Sequence, residues 1–138
     1  MQNTFYTFVA VNPKYHAMNV ENTSIQMRKG ILEYGILLVI ARGEVYTSDL
    51  IEELKEARII VVEGTLYPLL NRLQKMGLLA YTWKESPSGP PRKYYRLTDD
   101  GRAFLDGLHS TWTELTTSIQ TILNKTNNPE SHEQDSHL

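Results

Sequence analysis

Cysteine is absent from this chain of 138 residues. That removes disulfides, thiolate nucleophiles and cysteine-rich zinc sites, and it suits a reducing compartment. Long apolar runs are also missing. The strongest, Ile36 to Ala41, falls far short of the roughly 20 residues that a membrane-spanning helix needs. No basic segment followed by an apolar stretch and a small-residue cleavage site opens the chain, so the sequence reads as cytoplasmic with no membrane partner. The four histidines, His16, His109, His132 and His137, are scattered, and two lie near the end. There is neither a His-x-x-x-His pair nor a glycine-rich phosphate loop. Glu52, Glu53 and Glu56 beside Lys55 are ordinary for a solvated helix face. These absences argue against an enzyme and imply no catalytic residues, no cofactor and no metal. A basic net charge is lacking too, since the formal charge is -2.

The distribution of charge is more informative than its sum. From Val62 to Thr98, Arg72, Lys75, Lys84, Arg92, Lys93 and Arg96 stand against Glu63 and Glu85. This local excess of four leaves -6 on the remainder, and such asymmetry steers a protein toward polyanions. The length suits one domain. Apolar spacing predicts a first helix from Ser24 to Ala41, stopped by Gly43, and a second from about Thr47 to Ala57. After the β-rich run Arg58 to Val62 comes a third helix from Glu63, with Leu66, Leu69, Leu70, Leu73 and Met76 at three-and-four spacing and Gly77 at its end. Pro68 is awkward inside it unless the first turn is irregular. Leu78 to Glu85 and Lys93 to Leu97 read as two strands joined by a loop from Ser86 to Pro91, because paired prolines cannot continue a ladder. Thr98 caps a final helix with Asp99 and Asp100 in its first turn.

The order helix, helix, helix, hairpin, helix predicts a mainly α fold with a small β-hairpin wing (α+β): a winged helix-turn-helix with a long C-terminal dimerisation helix. Residues 1–22 form an N-terminal extension, with Met18 a candidate functional start. Residues 23–98 form the DNA-binding domain, 99–123 the dimerisation helix and 124–138 a polar, disordered tail. Gly101, Leu105, Leu108, Trp112, Leu115, Ile119 and Ile122 recur in steps of four and three, a heptad-like seam suited to a partner helix. Leu105, Leu108, Trp112, Leu115, Ile119 and Ile122 are therefore the candidate dimer interface. The competing reading packs the stripe within one protomer.

The third helix is the candidate recognition helix, since an α-helix fits the major groove of double-stranded DNA. Thr65, Tyr67 and Asn71 are placed to reach bases, and Arg72 and Lys75 to reach phosphate. The plainer alternative for Tyr67 is packing against the wing. Arg92, Lys93 and Arg96 on the hairpin, with Lys84 on the facing strand, extend the positive surface, unless they only solvate a strand. Tyr94 and Tyr95 alternate, so one packs and the other offers its hydroxyl to phosphate; Tyr95 is assigned the outward role. Trp83 reads as packing.

The runs Gly64-Thr65-Leu66-Tyr67-Pro68-Leu69-Leu70-Asn71-Arg72-Leu73, Gly77-Leu78-Leu79 and Gly89-Pro90-Pro91-Arg92-Lys93-Tyr94-Tyr95-Arg96-Leu97-Thr98, followed by Gly101, carry a resemblance. They resemble the PadR family of winged-helix transcriptional regulators, in the small subfamily with a single C-terminal dimerisation helix. The resemblance spans about Met27 to Leu123. Tyr46-Thr47-Ser48-Asp49 departs from it by keeping a tyrosine while losing the glycine that often precedes it. The resemblance implies tolerance of Pro68, a homodimer on a pseudo-palindromic operator, and repression of neighbouring genes. It also implies release by a small aromatic effector stacked on Trp112, with Leu108, Leu115, Met27 and Ile31 as lining; the competing reading makes Trp112 a plain dimer-core residue. A protein-interaction module, or an effector sensor without specific DNA binding, is the alternative from another class.

Overall fold

The computed structural model describes residues 20–59 and 61–128. In chain order the elements are α1 (Val20–Ala41), β1 (Val45–Tyr46), α2 (Thr47–Glu56), α3 (Glu63–Lys75), β2 (Leu79–Ser86), β3 (Gly89–Leu97) and α4 (Asp99–Asn127). The α+β winged-helix expectation holds. The proposed extension up to residue 19 and the tail from residue 129 lie outside the described residues.

α1 is the spine. Leu32, Ile36, Leu37 and Ile40 are buried on one stripe, and around them close Leu50 and Leu54 of α2, Leu66, Leu70 and Leu73 of α3, and Leu79, Tyr95 and Leu97 of the sheet. Each such side chain contributes about 1.5–3 kcal/mol by leaving water. The helix is already formed at Val20 rather than starting at Ser24. Within α3, the proline is accommodated as its position requires. The carbonyl of Val62 accepts from both Thr65 N and Leu66 N at 3.0 Å, a shared bond ordinary at a helix start, and the helix runs on through Pro68. Gly64 and Pro68 are exposed, so the Gly64 carbonyl that loses its partner to the proline faces solvent. The β-rich run after α2 forms no strand at its described positions. Arg58 takes a left-handed turn with φ 64°, and Ile59 N donates to Leu54 O at 2.8 Å to close the helix.

Among the described residues the sheet has three antiparallel strands in the order β1-β3-β2. Its first strand has only two residues, pairing Val45 with Tyr95 and Tyr46 with Tyr94, too short to give a sequence signal. The hairpin is tighter than the expected six-residue loop: Ser86 pairs with Gly89, leaving Pro87 and Ser88 as the turn. Pro90 and Pro91 belong to β3 after all. The register is irregular between Lys84 and Ser86, and β1 does not reach this far, so two missing N–H donors cost little there.

Gly77 takes φ 78° at the end of α3, a conformation glycine adopts without Cβ strain. Beyond the hairpin, Thr98 ties three elements together. Its hydroxyl donates to Gly77 O at 2.6 Å and accepts from Gly101 N at 3.0 Å, while its own N–H donates to Leu78 O at 3.1 Å. α4 then runs to Asn127, four residues past the boundary expected at Leu123. Several of its hydroxyls, among them Thr111, Thr113, Ser118 and Thr121, turn back to carbonyls one turn earlier. That use satisfies polar side chains without leaving the helix.

Candidate nucleic-acid interface

Burial of Leu66, Leu70 and Leu73 fixes the rotation of α3, so the opposite side, with Gly64, Pro68, Asn71 and Lys75, faces outward and is exposed. Tyr67 and Asn71, one turn apart, flank a trough toward the hairpin. Thr65 falls on the other flank, lining a groove with Ile25 and Leu32 of α1. Arg72 also turns that way: its Nη2 donates to Glu33 Oε2 at 2.6 Å. Arg72 is largely exposed and Glu33 half-buried, so the pair contributes about 1 kcal/mol, but it makes Arg72 a strut between α1 and α3. Thr65 and Arg72 are thus not gathered with the rest of the expected interface.

The hairpin sorts its residues by alternation. One face carries the cross-strand pairs Leu79 with Leu97, Tyr81 with Tyr95, and Trp83 with Lys93. Leu79, Leu97 and Tyr95 enter the core, and Tyr95 is only 1% exposed. The assignment of Tyr95 to phosphate is therefore corrected to a packing role: the side chain is buried and meets the trough only at its floor, while Tyr94 lies on the other face. Lys93 extends from the same face beyond the core. Its Nζ lies 3.9 Å from the Tyr81 ring centre and under 6 Å from those of Tyr95 and Trp83. Arg92 lies over Tyr46 at 4.6 Å. Cation–π contacts of this kind contribute about 0.5–1 kcal/mol at exposed sites. They orient the two cations while leaving N–H donors available on the side away from the rings.

The other face holds Lys84, Arg92, Tyr94 and Arg96, with Arg92 near the hairpin's end, where it also lines the trough. Lys84 sits 4.8 Å above the Tyr94 ring and pairs with Glu44, so its charge is largely balanced locally. Arg96 is exposed opposite Ala80, away from the trough. The trough itself, of about 540 Å³, brings Tyr67 and Asn71 of α3 together with Arg92, Lys93, Tyr46 and Trp83. Of these, Tyr46 and Trp83 escape a sequence reading. The alternation of Tyr81 with Trp83 was the available signal for the latter.

α4 divides its stripe in two. Gly101 and Leu105 are buried within the protomer, and Leu105, 8% exposed, has no surface left for a partner; its inclusion in a dimer interface is corrected. Leu108 packs partly on the core, whereas Trp112, Leu115, Ile119 and Ile122 are exposed. The Trp112 ring lies 6.1 Å from that of Tyr34 on α1. The Tyr34 hydroxyl is in turn 2.6 Å from His109 Nδ1. Met27 is exposed and Ile31 half-buried on the same side of α1 as Tyr34, by three-and-four spacing. Among the described residues no helix is long and apolar enough to cross a membrane.

Comparison with known proteins agrees with this arrangement. Residues 36–107 match the transcriptional regulator PadR-like family. A PadR-like transcription factor from Bacteroides fragilis is 55% identical, with a TM-score of 0.63 over 73% of this chain and 98% of its own. A PadR-like transcriptional regulator from Bacillus cereus is 41% identical, with a TM-score of 0.64 over 71% of this chain and 96% of its own. A transcriptional regulator from Mycobacterium tuberculosis is 36% identical over 80 residues, 58% of this chain and 74% of that protein. With its winged-helix fold, its trough between helix and wing, and the family match across the segment that builds both, this chain belongs to the PadR-like family of transcriptional regulators.

Proposed function

We propose that the protein acts as a homodimeric, DNA-binding repressor of nearby genes, relieved by a small aromatic effector. The observation that carries the reading is the trough, where the recognition helix and two ring-seated cations of the wing share one concave surface. α3 enters the major groove with Asn71 toward base edges and Lys75 toward phosphate, and Arg92 and Lys93 hold the flanking backbone. A second copy joins along Trp112, Leu115, Ile119 and Ile122, large apolar side chains that one protomer leaves in water. The twofold axis presents two recognition helices to half-sites about one turn, roughly 34 Å, apart on a pseudo-palindrome.

An aromatic compound stacked on Trp112, with Leu108, Leu115, Met27 and Ile31 around it, changes the separation of the two heads. It releases DNA only if it prefers the arrangement that does not bind. The test is fluorescence anisotropy of a labelled duplex from upstream of the protein's own gene beside an unrelated duplex. Tight, selective binding that a Trp112-quenching compound weakens supports the reading. Equal and weak binding to both duplexes refutes it.

A further inference from the structure

A separate hollow lies between the first turns of α1 and the residues just ahead of α3. Leu32 and Val61, each 8% exposed, form its floor, and Ile25, Ile59 and Val62 its walls. Ile25 and Val62 stay 44% and 65% exposed although both are aliphatic. The chain turns at Arg58 and is tied there to α1, because Arg58 O accepts from Arg28 Nη1 at 3.1 Å. By their spacing, Ile25, Arg28, Lys29 and Leu32 lie on a side of α1 turned away from Met27, Ile31 and Tyr34. The hollow is therefore distinct from the surface around Trp112. Thr65 borders it on the flank of α3 that does not meet the trough.

Two cations, Arg28 and Lys29, stand at its rim. Among the described residues the ion pairs are Arg42 with Glu53, Arg72 with Glu33 and Lys84 with Glu44, so neither rim cation meets a carboxylate. Arg28 commits Nη1 to Arg58 O and Nε to Ser24 Oγ at 3.4 Å, and its fork keeps further N–H donors. The volume, about 250 Å³, lies below the roughly 300 Å³ at which pockets for drug-sized ligands begin. No aromatic ring lines it. Aliphatic walls favour an aliphatic tail, and two unpaired cations favour an anionic head beside them. We propose that this hollow binds a small aliphatic monocarboxylate, its tail between Ile25 and Val62 and its carboxylate against Arg28 and Lys29. Such a ligand rests on the start of α3 without touching the trough or Trp112. Its binding needs neither DNA nor a dimer.

The test is methyl NMR of the full chain, titrated with octanoate below its micelle concentration and, in parallel, with acetate and octylamine. Octanoate should shift the methyl signals of Ile25, Ile59, Val61 and Val62 saturably. Acetate, which lacks the tail, and octylamine, which reverses the charge, should not do so at the same concentration. Arg28→Gln with Lys29→Gln should weaken octanoate binding about tenfold, with helical circular dichroism retained. Lys29→Gln alone, a change at an exposed position, should weaken it about threefold. Shifts that gather instead at Leu108 and Leu115 overturn the proposal, as does the absence of saturable shifts. Octylamine binding as tightly as octanoate, or an octanoate affinity that the double variant leaves unaltered, overturns it equally.

Discussion

Replacing Gly101 by alanine adds one methyl group at the third residue of α4, where the helix crosses the beginning of the wing. A Cβ there would lie 2.1 Å from the Leu78 carbonyl oxygen and 3.2 Å from Leu97 Cδ2. Carbon–oxygen contacts settle near 3.3 Å or beyond, so α4 must retreat by about 1 Å. The oxygen belongs to backbone and cannot swing aside. Retreat strains the three hydrogen bonds at Thr98, which link it to Leu78 O, Gly77 O and Gly101 N. Losing the cap costs about 1 kcal/mol and each of the other two bonds a comparable amount. Alanine's better helix propensity returns up to about 1 kcal/mol. The net loss is about 2 kcal/mol, or a fall in Tm of roughly 6–10 °C for a domain of this size. Gly107→Ala is the matched control, because nothing among the described residues lies within 4 Å of its added Cβ and the propensity gain of about 0.5–1 kcal/mol should appear alone. Thermal melts at equal protomer concentration read both, since linked association makes Tm concentration-dependent. If Gly101→Ala melts at or above the unaltered protein, the close approach of α4 to Leu78 is not what requires glycine.

Other outcomes follow from how side chains are committed. Tyr95→Phe removes a hydroxyl from a core position, so duplex affinity by anisotropy should stay within about twofold, a change of under 0.5 kcal/mol; a larger loss would restore its role at phosphate. Arg72→Ala breaks the pair with Glu33 and should cost about 1 kcal/mol in urea melts, leaving the salt dependence of DNA binding unaltered; a shallower dependence would return Arg72 to the interface. Ile119→Glu with Ile122→Glu places like charges on the exposed stripe of α4. Sedimentation should then show protomers at micromolar concentration, with the helical circular dichroism of each protomer retained. Persistence of the dimer would locate the contact elsewhere.

The architecture was legible because its signals are local. Three-and-four spacing located α2 and α3, Gly77 and Thr98 marked the boundaries around the hairpin, and the family motifs join these into one winged helix. What escaped depends on partners distant in the chain. Arg72 and Lys84 read as free cations because Glu33 and Glu44 lie 39 and 40 residues away. The choice between Tyr94 and Tyr95 is a matter of strand register, and a one-residue difference exchanges the faces. The prolines at 90 and 91 read as loop because nothing local announces that β3 lacks a second neighbour at that height. The seam of α4 is regular in sequence, but only the core decides that Leu105 is consumed within the protomer while Ile119 is not.

The most direct test of the proposed DNA contact is the slope of log affinity against log salt, for the unaltered protein and for Arg92→Gln with Lys93→Gln. Each phosphate neutralised contributes about 0.9 to that slope. If both ring-seated cations hold the backbone, the double variant should lose about 1.8 from the slope, to a similar extent on upstream and unrelated duplexes. An unchanged slope would mean that the wing does not touch phosphate, and would contradict the proposed interface.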